Sequence, residues 1–101
     1  MSRETILLVG AGGHARACID VIEQDGRFEI KGLVGLPGEV GSRVLGYPVL
    51  ASDNELDSLA SKILHAIVAI GHIKTPEHRI RVFSELQRCG YRLPEIGRAH
   101  V

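Results

Sequence analysis

With 101 residues and 45% hydrophobic content, the chain has room for one domain with a substantial core. Its 12 basic and 12 acidic residues cancel, which argues against broad electrostatic binding to nucleic acid or to an acidic membrane surface. The first residues lack the features of a signal peptide, and no apolar run has the length of a membrane span. We therefore expect a soluble cytoplasmic protein that binds neither nucleic acid nor membrane.

The first predicted element is a buried strand that leads directly into a glycine-rich turn. Four consecutive aliphatic residues at 6–9 are typical of a strand covered on both faces, and an amphipathic helix is predicted over about 14–24. The turn between them consists of Gly10, Ala11, Gly12, Gly13 and His14. Glycines permit a positive φ and close approach to a ligand, and a helix N-terminus attracts anions. The pattern predicts a phosphate-binding turn, most simply for a nucleotide diphosphate.

The elements after this helix, which Gly26 is predicted to end, continue to alternate between strand and helix. In chain order they are a strand over 28–34 interrupted at Gly32, a loop over 35–41, an extended segment over 44–50, a helix over about 52–59, a strand over 62–70, a helix over about 76–90 and a strand from 91. Pro48 places the extended segment at an edge or outside the main sheet. This order predicts an α/β fold: a Rossmann-like three-layer domain with a short parallel sheet between helices.

The later elements add a helix face, a second candidate site and two cysteines. Ile80, Val82, Phe83 and Leu86 are expected to form the apolar face of the helix that Thr75 caps and Gly90 ends. Gly71 and His72 end a central strand as Gly10 ends the first, so the two turns are expected to share one crevice at the carboxyl edge of the sheet. The five histidines lack a compact metal-ligand spacing, and Cys18 and Cys89 are expected to be reduced, so no metal site is predicted.

The turn also fits the GxGxxA pattern of dinucleotide-binding domains, which raises the possibility of NAD binding. Such domains carry an acidic residue about 20 positions further on, where it holds the ribose hydroxyls. Residues 32–36 contain neither an acid nor an arginine that could hold a 2′-phosphate. This absence argues against the usual mode of NAD or NADP binding.

Four segments in order resemble the bacterial sugar O- and N-acyltransferases of the sialic acid O-acetyltransferase (NeuD/PglD-like) family. They are the Gly-Ala-Gly-Gly-His turn at 10–14, the Val-Leu-Gly-Tyr-Pro-Val-Leu segment at 44–50, the Ala-Ile-Gly strand end at 69–71 and the Leu-Pro-Glu-Ile segment at 93–96. Arg79, in the helix that ends at Gly90-Tyr91, also falls where the family has an arginine. The resemblance covers essentially the whole chain.

The resemblance implies that residues 1–96 form a Rossmann-like domain that binds a sugar or nucleotide sugar as acyl acceptor. Residues 97–101 would begin the linker to a left-handed β-helix that is absent from this chain. In the family that β-helix carries the catalytic histidine and the acetyl-CoA site, and it forms a homotrimer. We therefore expect this chain alone to be inactive, with no catalytic residue and no cofactor of its own, and the parent enzyme to use acetyl-CoA.

The resemblance also suggests roles for individual residues. Gly10, Gly12 and Gly13 would offer N–H groups to phosphate, with Ala11 in the same turn and His14 donating to a phosphate or sugar oxygen. Gly71 would allow the ligand to approach, and His72 would flank it. The chain departs from the family at 35–36, where nucleotide-sugar-binding members have acidic residues, and this departure puts uridine recognition in doubt.

Plainer interpretations remain open for these residues. The glycines could be simple turn formers, His14 a helix-capping or surface residue, His72 a loop residue and Arg79 a solvated one. For the whole chain, two alternatives are a stand-alone NAD- or CoA-binding module and a domain kept mainly for oligomer contacts.

Overall fold

The structure of the chain, a computed structural model, describes residues 3–70 and 77–94. The strands are β1 (Glu4–Val9), β2 (Phe28–Gly35), β3 (Arg43–Val44), β4 (Tyr47–Ser52) and β5 (His65–Val68). The helices are α1 (Gly13–Asp25), α2 (Leu56–Ala60) and α3 (Glu77–Cys89), with short 3₁₀ helices at Pro37–Glu39 and Asp53–Glu55. No helix among these described residues combines the length and the apolar character that crossing a membrane requires.

The five strands form one sheet in the order β3-β4-β2-β1-β5. Strand β1 pairs in parallel with both β2 and β5, and β2 pairs in parallel with β4. The two-residue β3 pairs antiparallel to β4, so the sheet is mixed where the sequence predicted a parallel one. Because the chain passes from β1 to β2 and β4 on one side and returns to β5 on the other, the strand order reverses between β1 and β5.

Strand β1 is central because alternate side chains are buried on both faces of the sheet. Ile6 and Leu8 pack in the cluster that contains the apolar face of α1, whereas Leu7 and Val9 pack with residues of α2 and α3. None of these four side chains is more than 4% exposed. The predicted three-layer, Rossmann-like arrangement is therefore confirmed.

The first helix extends one residue beyond its predicted bounds of about 14–24 at each end, and it ends at Gly26 as predicted. Cys18, Ile19 and Ile22 lie on its buried face, and burial raises the pKa of the Cys18 thiol. Gly26 follows the last turn with φ 78°, and its N–H donates to the carbonyl of Ile22 at 3.1 Å. This left-handed glycine is a common way to end a helix.

The glycine at position 32 does not interrupt β2, contrary to the prediction. The strand continues through it with an irregular register, in which Ile6 pairs with Ile30 and Leu7 pairs with Gly32. A Cβ atom at Gly32 would lie 2.8 Å from the carbonyl oxygen of Pro48. Glycine is therefore required here because β4 approaches closely, as is common where a strand bulges.

The segment at 44–50 belongs to a hairpin in which only one of the two strands, β3, lies at the edge of the sheet. Val44 belongs to the edge strand β3, which confirms an edge location for this residue. Pro48, however, belongs to β4, which lies inside the sheet between β3 and β2, so its predicted place at an edge or outside the main sheet is wrong. The proline is tolerated because it lies at the start of β4, where a missing N–H disturbs little of the ladder.

The last strand and helix differ from their predictions in extent and in packing. Strand β5 is shorter than the predicted 62–70, and a single parallel bridge joins His65 to Arg92 where a further strand was predicted. In α3, Val82 and Leu86 are buried, whereas Ile80 and Phe83 are 60% and 44% exposed. The apolar face was therefore predicted too wide, because the part of the sheet that α3 covers reaches only one side of the helix. The predicted Thr75 cap lies outside the described residues.

The first strand leaves the sheet at Gly10 through a tightly packed backbone. Gly10 has φ +128°, and a Cβ atom there would lie 2.7 Å from the carbonyl oxygen of Ala69. Its N–H donates to the carbonyl of Val34 at 2.7 Å, and the N–H of Ala69 donates to the carbonyl of Val9 at 2.8 Å. The carboxyl ends of β1, β2 and β5 are thus joined at Gly10, where only glycine fits beside the carbonyl of Ala69.

The segment after α3 is anchored by a buried phenol. Tyr91 is 6% exposed, and its hydroxyl donates to the carbonyl of Leu56 at 2.8 Å. Burial raises the pKa of Tyr91 to about 12. The hydrogen bond links α2 to the chain that follows α3.

We predict that Gly10→Ala lowers the free energy of unfolding by about 2 kcal/mol or more, because the new side chain meets a carbonyl and the backbone strains at positive φ. Gly12→Ala is the matched control: Gly12 has φ −84°, and among the described residues no atom beyond its chain neighbours lies within 4 Å of the position that its Cβ would take. Its cost should be that of a poorer helix N-cap, about 1 kcal/mol or less. Urea denaturation measures both. Equal stability of the two variants would contradict the close approach at Gly10.

We predict that Tyr91→Phe costs about 1–3 kcal/mol, because the buried carbonyl of Leu56 loses its donor. Tyr47→Phe removes a hydroxyl that bonds to Glu23 at the surface and should cost about 0.5 kcal/mol or less. Chemical denaturation at neutral pH compares the two. A similar small cost for both would show that the Tyr91 hydroxyl does not anchor this segment.

The raised pKa of Tyr91 also predicts an alkaline loss of stability. The folded state favours the neutral phenol, so its contribution is complete below pH 10, the ordinary pKa, and is lost as the pH rises to about 12. The stability difference between wild type and Tyr91→Phe should therefore narrow over this pH range. Urea denaturation across it measures the difference, and a constant gap would contradict the shift.

Candidate functional site

A cleft of about 300 Å³ opens at the carboxyl ends of β1, β2 and β5. Its described lining comes from the first turn, the end of β2, the loop after it, the chain after β5 and one side chain of α3. The lining residues are Val9, Gly10, Ala11, Gly12, Val34, Gly35, Leu36, Glu39, Ala69, Ile70 and Val82. Ligands of open α/β sheets bind at this edge, next to the point where the strand order reverses.

One side of the cleft is the glycine turn before α1. Gly12 caps the helix with extended backbone, is exposed, and has nothing within 4 Å of the position that a side chain would take. The first turn of α1 contains no acidic residue. Since the first N–H groups of a helix have no partner within the helix, this turn is open to an anion.

The structure brings some of the predicted site residues together and leaves others apart. Gly10, Ala11 and Gly12 line the cleft, and Gly13 and His14 begin α1. His14 is not among the described residues that line the cleft. Gly71 and His72 lie outside the described residues. Ile70, the residue before Gly71, lines the cleft together with Gly10.

The imidazole of His14 is half-buried at the start of α1. Its Nε2 atom is shielded from solvent, and no group within residues 3–70 and 77–94 hydrogen-bonds to it. A shielded nitrogen without a partner costs free energy, so such atoms attract a polar group. His14 is therefore placed to gain a hydrogen bond near the turn.

The cleft is also lined by an acidic side chain, Glu39, that was not predicted from the sequence. Glu39 ends the 3₁₀ helix after β2, and its Oε1 accepts a hydrogen bond from the N–H of Leu36 at 2.7 Å. The carboxylate thus returns to the end of β2, where the sequence shows only Gly35 and Leu36. The signal for this return is the Pro37-Gly38 pair, because such residues reverse the chain within a few positions.

The cleft has a simple distribution of charge. Among its described lining residues Glu39 is the one charged group, and the remainder are glycines and apolar side chains. The glycine turn and the Glu39 carboxylate both line the cleft, and the carboxylate lies beside the turn. An anionic group would favour the turn, and a hydroxyl-bearing group would favour the carboxylate.

A second polar cluster lies away from the cleft, between α2 and α3. The atoms of Asp57, Glu85 and Cys89 that could coordinate a metal ion lie within 4.8 Å of one another. Arg88 forms ion pairs with Glu85 and, at 3.7 Å, with Asp57, and the Cys89 thiol donates to Asp57 at 2.8 Å. Burial and the neighbouring Asp57 raise the pKa of Cys89 to about 11, so the thiol keeps its proton at neutral pH. A guanidinium and a thiol proton thus already satisfy these acids.

Comparison with known proteins identifies both a family and several similar structures. The family described as the PglD N-terminal domain matches residues 5–86. PerB from Caulobacter crescentus, solved with CoA and GDP-perosamine, is 25% identical with a TM-score of 0.73 over 89% of this chain and 40% of its own. The acetyltransferase domain of PglB from Neisseria gonorrhoeae, solved with acetyl coenzyme A, is 24% identical with a TM-score of 0.72 over 92% of this chain and 43% of its own.

Enzymes of other chemistry share the fold. UDP-D-quinovosamine 4-dehydrogenase from Vibrio fischeri has a TM-score of 0.78 at 14% identity, over 91% of this chain and 76% of its own. The likeness at this identity concerns the Rossmann-like fold alone. No curated protein sequence matches the chain.

The chain spans about two fifths of the length of the two acetyltransferase structures. The family match, in contrast, covers most of the chain, from β1 into α3, and includes the glycine turn and the whole described wall of the cleft. The chain therefore belongs to the PglD N-terminal domain family, the N-terminal domain of NeuD/PglD-like sugar acetyltransferases.

Proposed function

We propose that this chain is the acceptor-binding domain of a bacterial sugar O- or N-acetyltransferase and that its cleft holds a sugar linked to a nucleotide. The observation that carries the proposal is the open glycine turn at the N-terminus of α1, which borders a cleft where the strand order reverses. PerB, a structural neighbour, was solved with GDP-perosamine, which supports a nucleotide sugar as the class of ligand.

The diphosphate would lie against the first turn of α1. The N–H of Gly10 already donates to Val34, so this residue shapes the turn rather than serving as a free donor. The backbone N–H groups that follow, at Gly12 and Gly13, are the proposed phosphate donors, because helix N-termini leave such groups without partners. Ala11, which lies between Gly10 and Gly12 in the sequence, also lines the cleft.

Further contacts would come from His14 and from the chain after β5. The shielded Nε2 of His14 would gain its missing partner from a phosphate or sugar oxygen. Gly71 and His72 follow Ile70 directly, and Ile70 lines the cleft, so their place in the chain supports a role in contacting the sugar.

The acetyl transfer itself would take place outside this domain. We propose that residues 1–96 form the binding domain, that residues 97–101 begin the linker to a left-handed β-helix, and that the β-helix carries the catalytic group, binds acetyl-CoA and forms a homotrimer. The share of the acetyltransferase structures that the chain leaves uncovered, and the CoA and acetyl coenzyme A bound in them, support this division.

Ligand titration tests the proposal. The chain would be mixed separately with UDP-sugars, GDP-sugars, CMP-sialic acid, free sialic acid, NADH and CoA, and its melting temperature and heat of binding would be measured. A nucleotide sugar at 100 times its dissociation constant should add about 2.7 kcal/mol of stability. Stabilisation by NADH or CoA alone would contradict the proposal.

Absence of binding by every ligand would also contradict the proposal. It would instead favour the alternative of a domain that mainly makes oligomer contacts. The exposed pair Ile80 and Phe83 on α3 would then be the surface to examine, because large apolar side chains exposed together often mark a protein contact.

We predict that Gly12→Val weakens binding of the stabilising nucleotide sugar by about tenfold or more, because its side chain would occupy the open approach to the phosphate donors. The backbone at Gly12 is extended, so the free protein should still fold, with a loss of about 1 kcal/mol because valine is a poorer helix N-cap than glycine. Calorimetry measures the affinity. Ala17→Val, an exposed change on the same helix, is the control and should bind normally. Unchanged affinity of Gly12→Val would exclude the turn as the phosphate site.

A further inference from the structure

We infer that Glu39 holds the ribose hydroxyls of the bound nucleotide, and that the missing side chain at Gly35 makes room for its carboxylate. This inference rests on the proposed function, since it names the residue that recognises the sugar next to the diphosphate. The sequence at the end of β2 itself contains no acid, since Gly35 and Leu36 stand there.

The carboxylate of Glu39 occupies the space that a side chain at the end of β2 would fill. A Cβ atom at Gly35 would lie 2.5 Å from Oε1 of Glu39 and 3.1 Å from the Cβ of Ala11. No neighbour could tolerate the first of these distances without moving. An acid at position 35 and the present position of Glu39 therefore exclude each other, and Gly35 leaves the carboxylate beside the first turn.

One oxygen of this carboxylate is available to a ligand. Oε1 accepts the N–H of Leu36 at 2.7 Å, which fixes the direction of the side chain. Within residues 3–70 and 77–94, no donor bonds to Oε2, and the side chain lines the cleft. A positioned carboxylate oxygen beside a cleft is a strong acceptor for hydroxyl groups.

The geometry of nucleotide binding indicates which group of the ligand would donate a hydrogen bond to Oε2 of Glu39. In Rossmann-like sheets, a carboxylate at the end of the second strand accepts ribose hydroxyls while the diphosphate lies at the first turn. The carboxylate of Glu39 lies at that strand end although it comes from the loop. A phosphate would be repelled by this charge, whereas the ribose next to the diphosphate has two hydroxyls to donate.

A purely local role for Glu39 would be to cap the 3₁₀ helix through Leu36. Glu39→Gln separates the two roles, because the amide oxygen can still accept the N–H of Leu36 while the charge and the second acceptor oxygen are lost. The melting temperature without ligand should stay close to that of wild type. The affinity of the variant for a ribonucleotide should fall.

The experiment uses calorimetry with UDP, GDP, their 2′-deoxy forms and NADH on the whole chain. For the ribonucleotide that wild type binds, Glu39→Gln should weaken the affinity by about tenfold. Wild type should prefer the ribo form to the 2′-deoxy form, and the variant should lose most of this preference. Glu29→Gln, an exposed acid near the other end of β2, is the control and should behave as wild type.

A relocated carboxylate provides the second test. The double variant Gly35→Asp with Glu39→Ala places the acid on the strand end and removes the group with which it would collide. It should recover much of the affinity and of the ribose preference that Glu39→Ala alone loses. Failure of this rescue, when the double variant melts as wild type does, would count against the inference.

The outcomes separate this inference from the proposed function. If wild type binds none of the nucleotides, both are wrong. If it binds UDP or GDP and Glu39→Gln keeps the affinity and the ribose preference, only the role of Glu39 is overturned. If NADH alone binds and Glu39→Gln weakens it, the ribose contact stands and the nucleotide sugar is excluded.

Discussion

The close approach of the Gly10 backbone to the carbonyl of Ala69 is the constraint on which the cleft depends. It joins the carboxyl ends of β1 and β5 at the point where the strand order reverses. The same residue bonds to Val34 of β2, so three strands end together and the chain must turn at once into α1. Both the place of the helix N-terminus and the floor of the cleft follow from this junction.

The cleft that results contains two kinds of polar group because its lining comes from different parts of the chain. The turn offers backbone donors, and the loop after β2 offers a carboxylate. The rest of the described lining is apolar or glycine. A ligand that carries a phosphate and hydroxyl groups a short distance apart would match both polar groups, which a single anion would not.

The parts of the fold that depend on local sequence were predictable. Four aliphatic residues correctly indicated that β1 is covered on both faces, and Gly26 ended α1 as expected. The glycine turn and the ordered motifs also indicated the correct family. Features that depend on tertiary contacts were not predictable from the sequence. Gly32 was predicted to break β2, because the sequence does not show that β4 approaches closely at this residue. The exposure of Phe83 likewise depends on which side of α3 the sheet reaches.

The acid beside the cleft was missed for the same reason, since it reaches the strand end across a turn rather than along the strand. This geometry links two positions that lie four residues apart. A side chain at position 35 would meet the end of the Glu39 side chain, which would then have to move. Among relatives of this chain, a side chain at position 35 should accompany the loss of the acid at position 39. A comparison made one position at a time would count two changes, although together they move one negative charge.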